Sequence, residues 1–212
     1  MKKIIYTVAL LSILTTGNFA TAKTEEAPQG VSKMGLFVEP SVTYEIGKTS
    51  TNYPAPFSDA SGTSEGLGIG ARLGFHAFES LFFGIDARYS MPQFKDSVLG
   101  YNAKAVSTAW GPVVGMQMPV FGLRIWGSYV ANGDLNPDSS GNIDIKFKQA
   151  TGYRLGTGLR LETVSVNLEY QQIKYNQAEL EQLGPFSGST TFNNISLDNK
   201  AWIVSLSFPL EL

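Results

Sequence analysis

The chain has 212 residues, of which 16% are charged and 43% hydrophobic, with no Cys, one His and a formal net charge of −2. One domain of about 150–200 residues fits this length, and the charged fraction lies well below the roughly 25% of soluble domains. Without Cys the chain has no disulfide, thiolate zinc site or cysteine nucleophile, and one His cannot build a multi-histidine metal site. A net charge of −2 gives no basis for nucleic-acid binding, which needs a basic face. We therefore predict no cofactor, no metal and no nucleic-acid partner.

Residues 1–22 have the pattern of a secretory signal peptide. Two lysines follow the first Met, residues 4–14 are apolar, and Ala20 and Ala22 supply the small side chains that a signal peptidase needs. The apolar run is too short for a membrane helix, which takes about 20 residues. A buried N-terminal helix is the alternative. We predict export by the Sec pathway, cleavage after Ala22 and a periplasmic segment over residues 23–33.

From Met34 onward apolar and polar residues alternate with a period of two, which is typical of β-strands. Eight such segments follow one another along the chain. They cover about residues 34–46, 66–77, 81–91, 106–118, 121–129, 143–161, 164–171 and 200–212.

The connections between these segments alternate in length. Those after the odd segments are long and rich in Asn, Asp, Ser, Pro and Gly, and they cover residues 47–64, 92–103, 132–142 and 176–198. Those after the even segments are tight and cover residues 78–80, 119–120 and 162–163. This asymmetry is typical of outer-membrane barrels. We predict an all-β fold, an eight-stranded antiparallel transmembrane β-barrel over residues 34–212, with long extracellular loops, short periplasmic turns and a short helical turn at 176–183.

Charge distinguishes the two faces of the predicted strands. The apolar face carries only Lys200, at the start of the last strand. We assign fourteen charges to the other face: Glu39, Glu45, Asp86, Asp144, Glu169, Glu211, Arg72, Arg88, Lys104, Arg124, Lys146, Lys148, Arg154 and Arg160. Most strand glycines share that face, where they leave room for long side chains in a narrow lumen. The apolar face therefore meets lipid; a soluble, lipocalin-like barrel is the alternative.

This pattern resembles the small outer-membrane barrels of Gram-negative bacteria, the OmpA, OmpX and opacity-protein group, over residues 34–212. The final segment, AWIVSLSFPLEL, resembles the C-terminal insertion signal of such barrels, although it ends in Leu212 rather than an aromatic residue. The resemblance implies a protein of the outer membrane that contacts its lipid, including lipopolysaccharide, and the barrel-assembly machinery. We expect it to be a monomer.

The lumen charges near mid-height allow two functions, a salt-bridged plug or a narrow, porin-like channel gated by ion pairs. They are Glu39, Arg72, Asp86, Arg88, Arg124, Arg154 and Glu169. An eight-stranded barrel is just wide enough for its side chains to fill, and buried charges need partners. These two facts favour the plug, and the channel for ions or small solutes remains the alternative.

The short turns predict how neighbouring strands pair. A three-residue loop between the second and third segments places Arg72 opposite Asp86. The next allowed register would oppose Arg72 to Arg88, which two like charges disfavour. A two-residue turn between the fourth and fifth segments places Gly115 opposite Arg124.

The loops hold aromatic residues among small polar ones, a composition that suits recognition of an extracellular ligand. The candidates are Tyr53, Phe57, Phe94, Tyr101, Phe186 and Phe192. Solubilising loops are the alternative. The single His, His76, falls on the lumen face with no Ser two residues away, which disfavours a lipid hydrolase. Our leading hypothesis is therefore a non-enzymatic barrel that is structural or presents its loops.

Overall fold

The computed structural model describes residues 34–56, 58–78, 80–96, 101–118, 121–140, 142–183 and 186–212. The predicted signal peptide, the predicted periplasmic segment and Phe57 lie outside the described residues. Within the described ranges no helix is long and apolar enough to cross a membrane.

In the part of the chain that the structure describes, eleven strands make up one antiparallel sheet. They are β1 (Met34–Asn52), β2 (Ala60–Ala77), β3 (Leu81–Asp96), β4 (Tyr101–Gln117), β5 (Leu123–Val130), β6 (Asn132–Pro137), β7 (Ile143–Leu161), β8 (Val164–Leu183), β9 (Phe186–Phe192), β10 (Ser196–Ser207) and β11 (Leu210–Glu211). The strands are long because side chains alternate between the two faces of the sheet over many consecutive residues, with only short turns between strands.

The sheet closes into a ring of eight barrel strands. β5 and β6 both pair with β4 and together form one barrel strand, and β10 and β11 do the same beside β1. The ring runs β1, β2, β3, β4, β5/β6, β7, β8, β10/β11 and returns to β1. β9 pairs with β8 alone and extends the wall beyond β10. The predicted eight-stranded antiparallel barrel is confirmed.

One of the two predicted registers is correct. Ala77 pairs with Leu81, so Arg72 lies opposite Asp86 as expected. In the β4–β5 hairpin, however, Arg124 lies opposite Gln117, and Gly115 is paired with Trp126.

The β4–β5 prediction was wrong because the connection is longer than two residues. The backbone N–H of Met118 donates to the carbonyl of Leu123 at 2.8 Å, and that of Gly122 donates to Met118 at 2.9 Å. Gly122 has φ +65°, a conformation that glycine adopts at little cost. The two extra residues shift the register by two and leave the faces unchanged.

The predicted long loops are largely strand. β1 continues to Asn52 and β2 begins at Ala60, so only residues 53–59 connect them. Residues 176–183, expected to form a helical turn, belong to β8, which pairs with β7 on one side and β9 on the other. The hydrogen-bonding edges of these neighbours, which the local sequence does not reveal, determine the strand conformation here. We refer below to the end with the short turns as the turn end, and to the opposite end as the loop end.

An apolar belt surrounds the barrel nearer the turn end. Large apolar side chains on every barrel strand point outward and are exposed, as at Leu36, Leu73, Ile85, Leu155 and Val204. Toward the loop end the two faces exchange character. There the interior is apolar and buried, and the outward face is polar and charged.

This exchange corrects part of the predicted face assignment. The alternation of β7 inverts at Gln149, whose φ is +59°. Ile145 and Phe147 are consequently buried inside, and Lys146 and Lys148 point outward. Lys104, between the buried Ala103 and Ala105, also points outward. Lys146 and Lys148 were assigned to the lumen because the prediction carried one alternation through the whole of β7, past the inversion at Gln149. Lys104 lies six residues before the outward Trp110, so strict alternation along β4 already places it outward, and its assignment to the lumen was wrong.

Candidate functional site

The lumen beside the apolar belt contains a buried network of guanidinium and carboxylate groups. Asp86, on β3, is its first centre and has no exposed surface. Its Oδ2 accepts from Nε of Arg72 at 3.0 Å, and its Oδ1 accepts from Nε of Arg88 at 2.7 Å. Nη1 of Arg154 approaches the same Oδ1 at 3.5 Å. Three cations thus surround one carboxylate, which explains how a fully buried Asp can stay ionised.

Glu169, on β8, is the second centre. Its carboxylate accepts from Nη2 of Arg88 at 2.9 and 2.8 Å and lies 3.5 Å from Nη2 of Arg72. β3 and β8 are four positions apart in the ring of eight. The Arg88–Glu169 pair therefore crosses the full diameter of the barrel.

Glu39, on β1, is the third centre and is only 1% exposed. Nη1 and Nη2 of Arg124 each donate to one of its carboxylate oxygens at 2.7 Å. The hydroxyl of Ser207 donates to the same carboxylate at 2.6 Å, and Nη1 of Arg72 lies 3.7 Å away. β1 and β5 are also four ring positions apart, so this pair crosses the diameter as well.

The structure therefore brings all seven predicted lumen charges into one network. Sequence reasoning placed Glu45 on this face but left it out of the network. Glu45 is buried and accepts hydrogen bonds from Ser64 at 3.1 Å and Ser90 at 3.4 Å. It borders, together with Arg154, a cavity of about 20 Å³. With Glu45 the site holds four carboxylates and four guanidinium groups, a balance that could have indicated it.

Apolar side chains close the lumen on both sides of the network. On the turn side, Phe37, Phe82, Val113 and Trp126 form a buried cluster. The guanidinium of Arg72 lies 4.3 Å from the Trp126 ring centroid, a cation–π contact that joins cluster and network.

On the loop side a larger cluster fills the barrel. Its members share an inward position on the extended strands, and they include Phe94, Val130, Leu135, Ile145, Phe147, Ile173, Tyr175 and Leu197. The cavity beside Glu45 lies between these closures and has room for about one water molecule.

The predicted aromatic recognition residues do not share one environment. Phe94 was wrongly assigned to a loop. β3 continues beyond the apolar belt, so Phe94 still lies on this strand with its side chain inside the barrel, where it is 1% exposed and contacts the Phe147 ring. Tyr53 is half-buried and donates to Asp96 at 3.5 Å, and burial raises the pKa of its hydroxyl. Phe192 is half-buried at the end of β9, and the backbones of Tyr101 and Phe186 lie in β4 and β9.

His76 packs inside the barrel at the turn end. Its ring lies 4.6 Å from that of Phe37, and its Nε2 is 3.5 Å from a carboxylate oxygen of Glu211. Among the described residues no three His, Cys, Asp or Glu side chains group closely enough to hold a metal ion.

Solved structures with a similar fold are outer-membrane proteins. OprG from Pseudomonas aeruginosa aligns with a TM-score of 0.53 and 10% identity, over 84% of this chain and 97% of that one. Neisserial surface protein A (NspA) aligns with a TM-score of 0.44 and 13% identity, over 81% of this chain and 96% of that one. The outer membrane protease OmpT from Escherichia coli aligns with a TM-score of 0.43 and 11% identity, over 91% of this chain and 100% of that one. No protein-family model and no curated protein sequence matches the chain.

At 10% identity the similarity to OprG bears on the fold alone. It agrees with the eight-strand closure and the antiparallel pairing described above. This chain has the fold of the small outer-membrane β-barrels of Gram-negative bacteria.

Proposed function

We propose that this protein is an integral outer-membrane barrel with a sealed lumen, which stabilises the envelope and presents its loop end outside the cell. The observation that carries the proposal is the pair of ionic contacts across the full barrel diameter, Glu39–Arg124 and Arg88–Glu169. A conducting pore would have to break both of them.

The dimensions of the apolar belt support a place in the membrane. On β1 the outward apolar residues run from Leu36 to Ile46, and the next outward residue is Lys48. Ten residue steps at about 3.3 Å, on a strand tilted by about 40°, give a height of roughly 25 Å. An outer-membrane barrel has an apolar band of about this height.

The energetics of the network support a closed lumen. Removing one partner of a buried ion pair typically costs about 3–5 kcal/mol, because the other charge is left without compensation. A spontaneous opening that separated one such pair at this cost would be populated at roughly one part in 150 to one part in 5,000. The apolar clusters on both sides add further closures.

A narrow channel remains the second candidate, and the polar cavity beside Glu45 and Arg154 favours it. Rearrangement of Arg88 and Arg154 would enlarge this cavity. The proposal includes no enzymatic role: the single His is buried in the lumen, where Phe37 and Phe82 cover it.

Conductance of the refolded full chain in planar bilayers tests the proposal. We expect no discrete openings from the wild-type protein, with a known porin as the positive control for the assay. Steady openings that disappear when the membrane lacks the protein would overturn the sealed barrel and favour the channel.

A further inference from the structure

Above the apolar belt, the outward face of each barrel strand changes from apolar to charged. On six of the eight barrel strands the first charged outward residue above the belt is a lysine. These are Lys48, Lys95, Lys104, Lys148, Lys174 and Lys200. The exceptions are Glu65 on β2 and Asp134 on β6. Lysines therefore predominate at the loop-side edge of the belt, and the two acids interrupt them on β2 and β6.

Three of these lysines are neighbours on adjacent strands. Lys48 on β1 lies directly opposite Lys200 on β10. Lys174 on β8 lies opposite Asp198 and therefore diagonal to Lys200. Directly opposed residues have Cβ atoms about 4.5–5.5 Å apart, and like charges there are destabilising. We call these three residues the lysine triad.

Among the described residues, no carboxylate oxygen lies within 4.0 Å of a triad ammonium, although Asp198 and Glu65 are cross-strand neighbours of the triad. Lys146 and Lys148 form ion pairs with Asp134 and Glu179. Across the described part of the chain no ion pair within 4.0 Å includes a triad member, and Lys95 and Lys104 likewise have none, so the direct opposition of Lys48 and Lys200 is what distinguishes the triad. Asp198 is the nearest acid by register, and its Oδ2 accepts from the Asn52 side chain at 3.3 Å. Glu65 on β2 lies diagonal to Lys48 and forms no ion pair with it.

Aromatic residues indicate the depth of the triad. Trp202 follows Lys200 on the same outward face, and its ring lies 5.3 Å from that of Tyr170 on β8. Ile46, opposite Trp202, is the last belt residue of β1. Trp and Tyr concentrate at the boundary between hydrocarbon and headgroups. The triad therefore lies at headgroup depth.

We propose that the lysine triad binds the phosphate groups of lipopolysaccharide in the outer leaflet. The inference rests on the proposed orientation, in which the loop end faces outward. A phosphate on the lipid A sugar lies at headgroup depth. Its negative charge would compensate the opposed ammonium groups of Lys48 and Lys200. The Trp202–Tyr170 pair below supplies an apolar surface for the first segment of the acyl chains.

Native mass spectrometry of the refolded full chain in detergent, titrated with bisphosphorylated lipid A, tests this site. The variant Lys48→Gln/Lys200→Gln removes the opposed pair. The control Lys95→Gln/Lys104→Gln removes the same charge from exposed outward lysines on β3 and β4. We expect about a tenfold or greater loss of affinity for the first variant and less than about a twofold loss for the control, because charge-assisted hydrogen bonds to phosphate are strong and local.

Equal losses in both variants, or no loss in either, would overturn the triad as a site. Equal binding of fully dephosphorylated lipid A, or of phosphatidylglycerol in its place, would overturn the assignment to lipopolysaccharide phosphate. All four substituted lysines are exposed, so each variant should keep the heat-modifiable mobility of a folded barrel on gels. A triad failure with an intact, non-conducting barrel would leave the proposed function standing.

Discussion

Glu39 and Arg124 form a bidentate ion pair that spans the barrel, with both N···O distances at 2.7 Å. They are 85 residues apart in the chain and sit on opposite walls. Each is only 1% exposed, so neither charge has water as an alternative partner. Each charge is therefore compensated only when the barrel is closed and the two opposite walls bring the pair together.

We expect Glu39→Gln to destabilise the barrel by about 3–5 kcal/mol, because Arg124 would remain buried without its main counter-charge. Urea unfolding in lipid vesicles, followed by tryptophan fluorescence, measures the change. The double variant Glu39→Gln/Arg124→Met removes both charges and should recover much of the loss. A single variant as stable as wild type would show that the pair does not contribute to the fold.

Gly156 makes room for the Trp126 indole. A Cβ at position 156 would lie 2.2 Å from Cε2 of that ring, so Gly156→Ala must displace the indole and its contact with Arg72. We expect a loss of about 1–3 kcal/mol, the usual cost of overpacking. Gly127→Ala is the matched control, because the nearest atom to its Cβ would lie at 3.5 Å. If the two variants unfold at the same urea concentration, the packing role of Gly156 is refuted.

Leu73 lies in the apolar belt on β2 and is 58% exposed. We expect Leu73→Arg to reduce insertion stability by about 2–4 kcal/mol, because the guanidinium would enter hydrocarbon. Glu65→Arg, on the outward face of the same strand but above the belt, should insert like wild type. Folding yield into vesicles measures both. Equal tolerance of the two changes would mean that the belt does not face lipid.

Glu179 links three strands at the loop end. Its carboxylate contacts Lys148 on β7 and the hydroxyl of Ser189 on β9. The hydrogen bond from Lys148 lowers the pKa of Glu179 below its usual value. The contribution of this carboxylate is therefore fully present above the usual Glu pKa and is lost as pH falls through the lowered folded pKa.

We accordingly expect amide protection in β9, corrected for intrinsic exchange rates, to fall on acidification below the usual Glu range. Glu179→Gln should show lower protection at neutral pH and a weaker dependence on acid. Protection in β1 and β2 provides the internal reference. A β9 segment whose protection is the same in both proteins at every pH would argue against the link.

Sequence periodicity determined the barrel fold and the residues of the lumen network. It also determined which face of each strand points outward in the apolar belt. Local geometry explains this success. Side chains alternate strictly along a strand, and the three-residue loop at residues 78–80 allows only a few registers, so the sequence alone predicts the pairing of Arg72 with Asp86. The β4–β5 register failed because it depends on the positive φ of Gly122, which composition does not specify.

Only the tertiary structure decided which charges meet across the lumen. Arg88 and Glu169 are 81 residues apart, and nothing local to either strand pairs them. Closure of β1 onto β10 sets the ring order, and the ring order puts β3 opposite β8. Alternation along β3 puts Phe94 on the same face as Asp86, but the apolar side chains that surround it come from other strands, and only barrel closure brings them together. A strand's sequence determines which face a side chain occupies, whereas contacts across the interior depend on how all eight strands close.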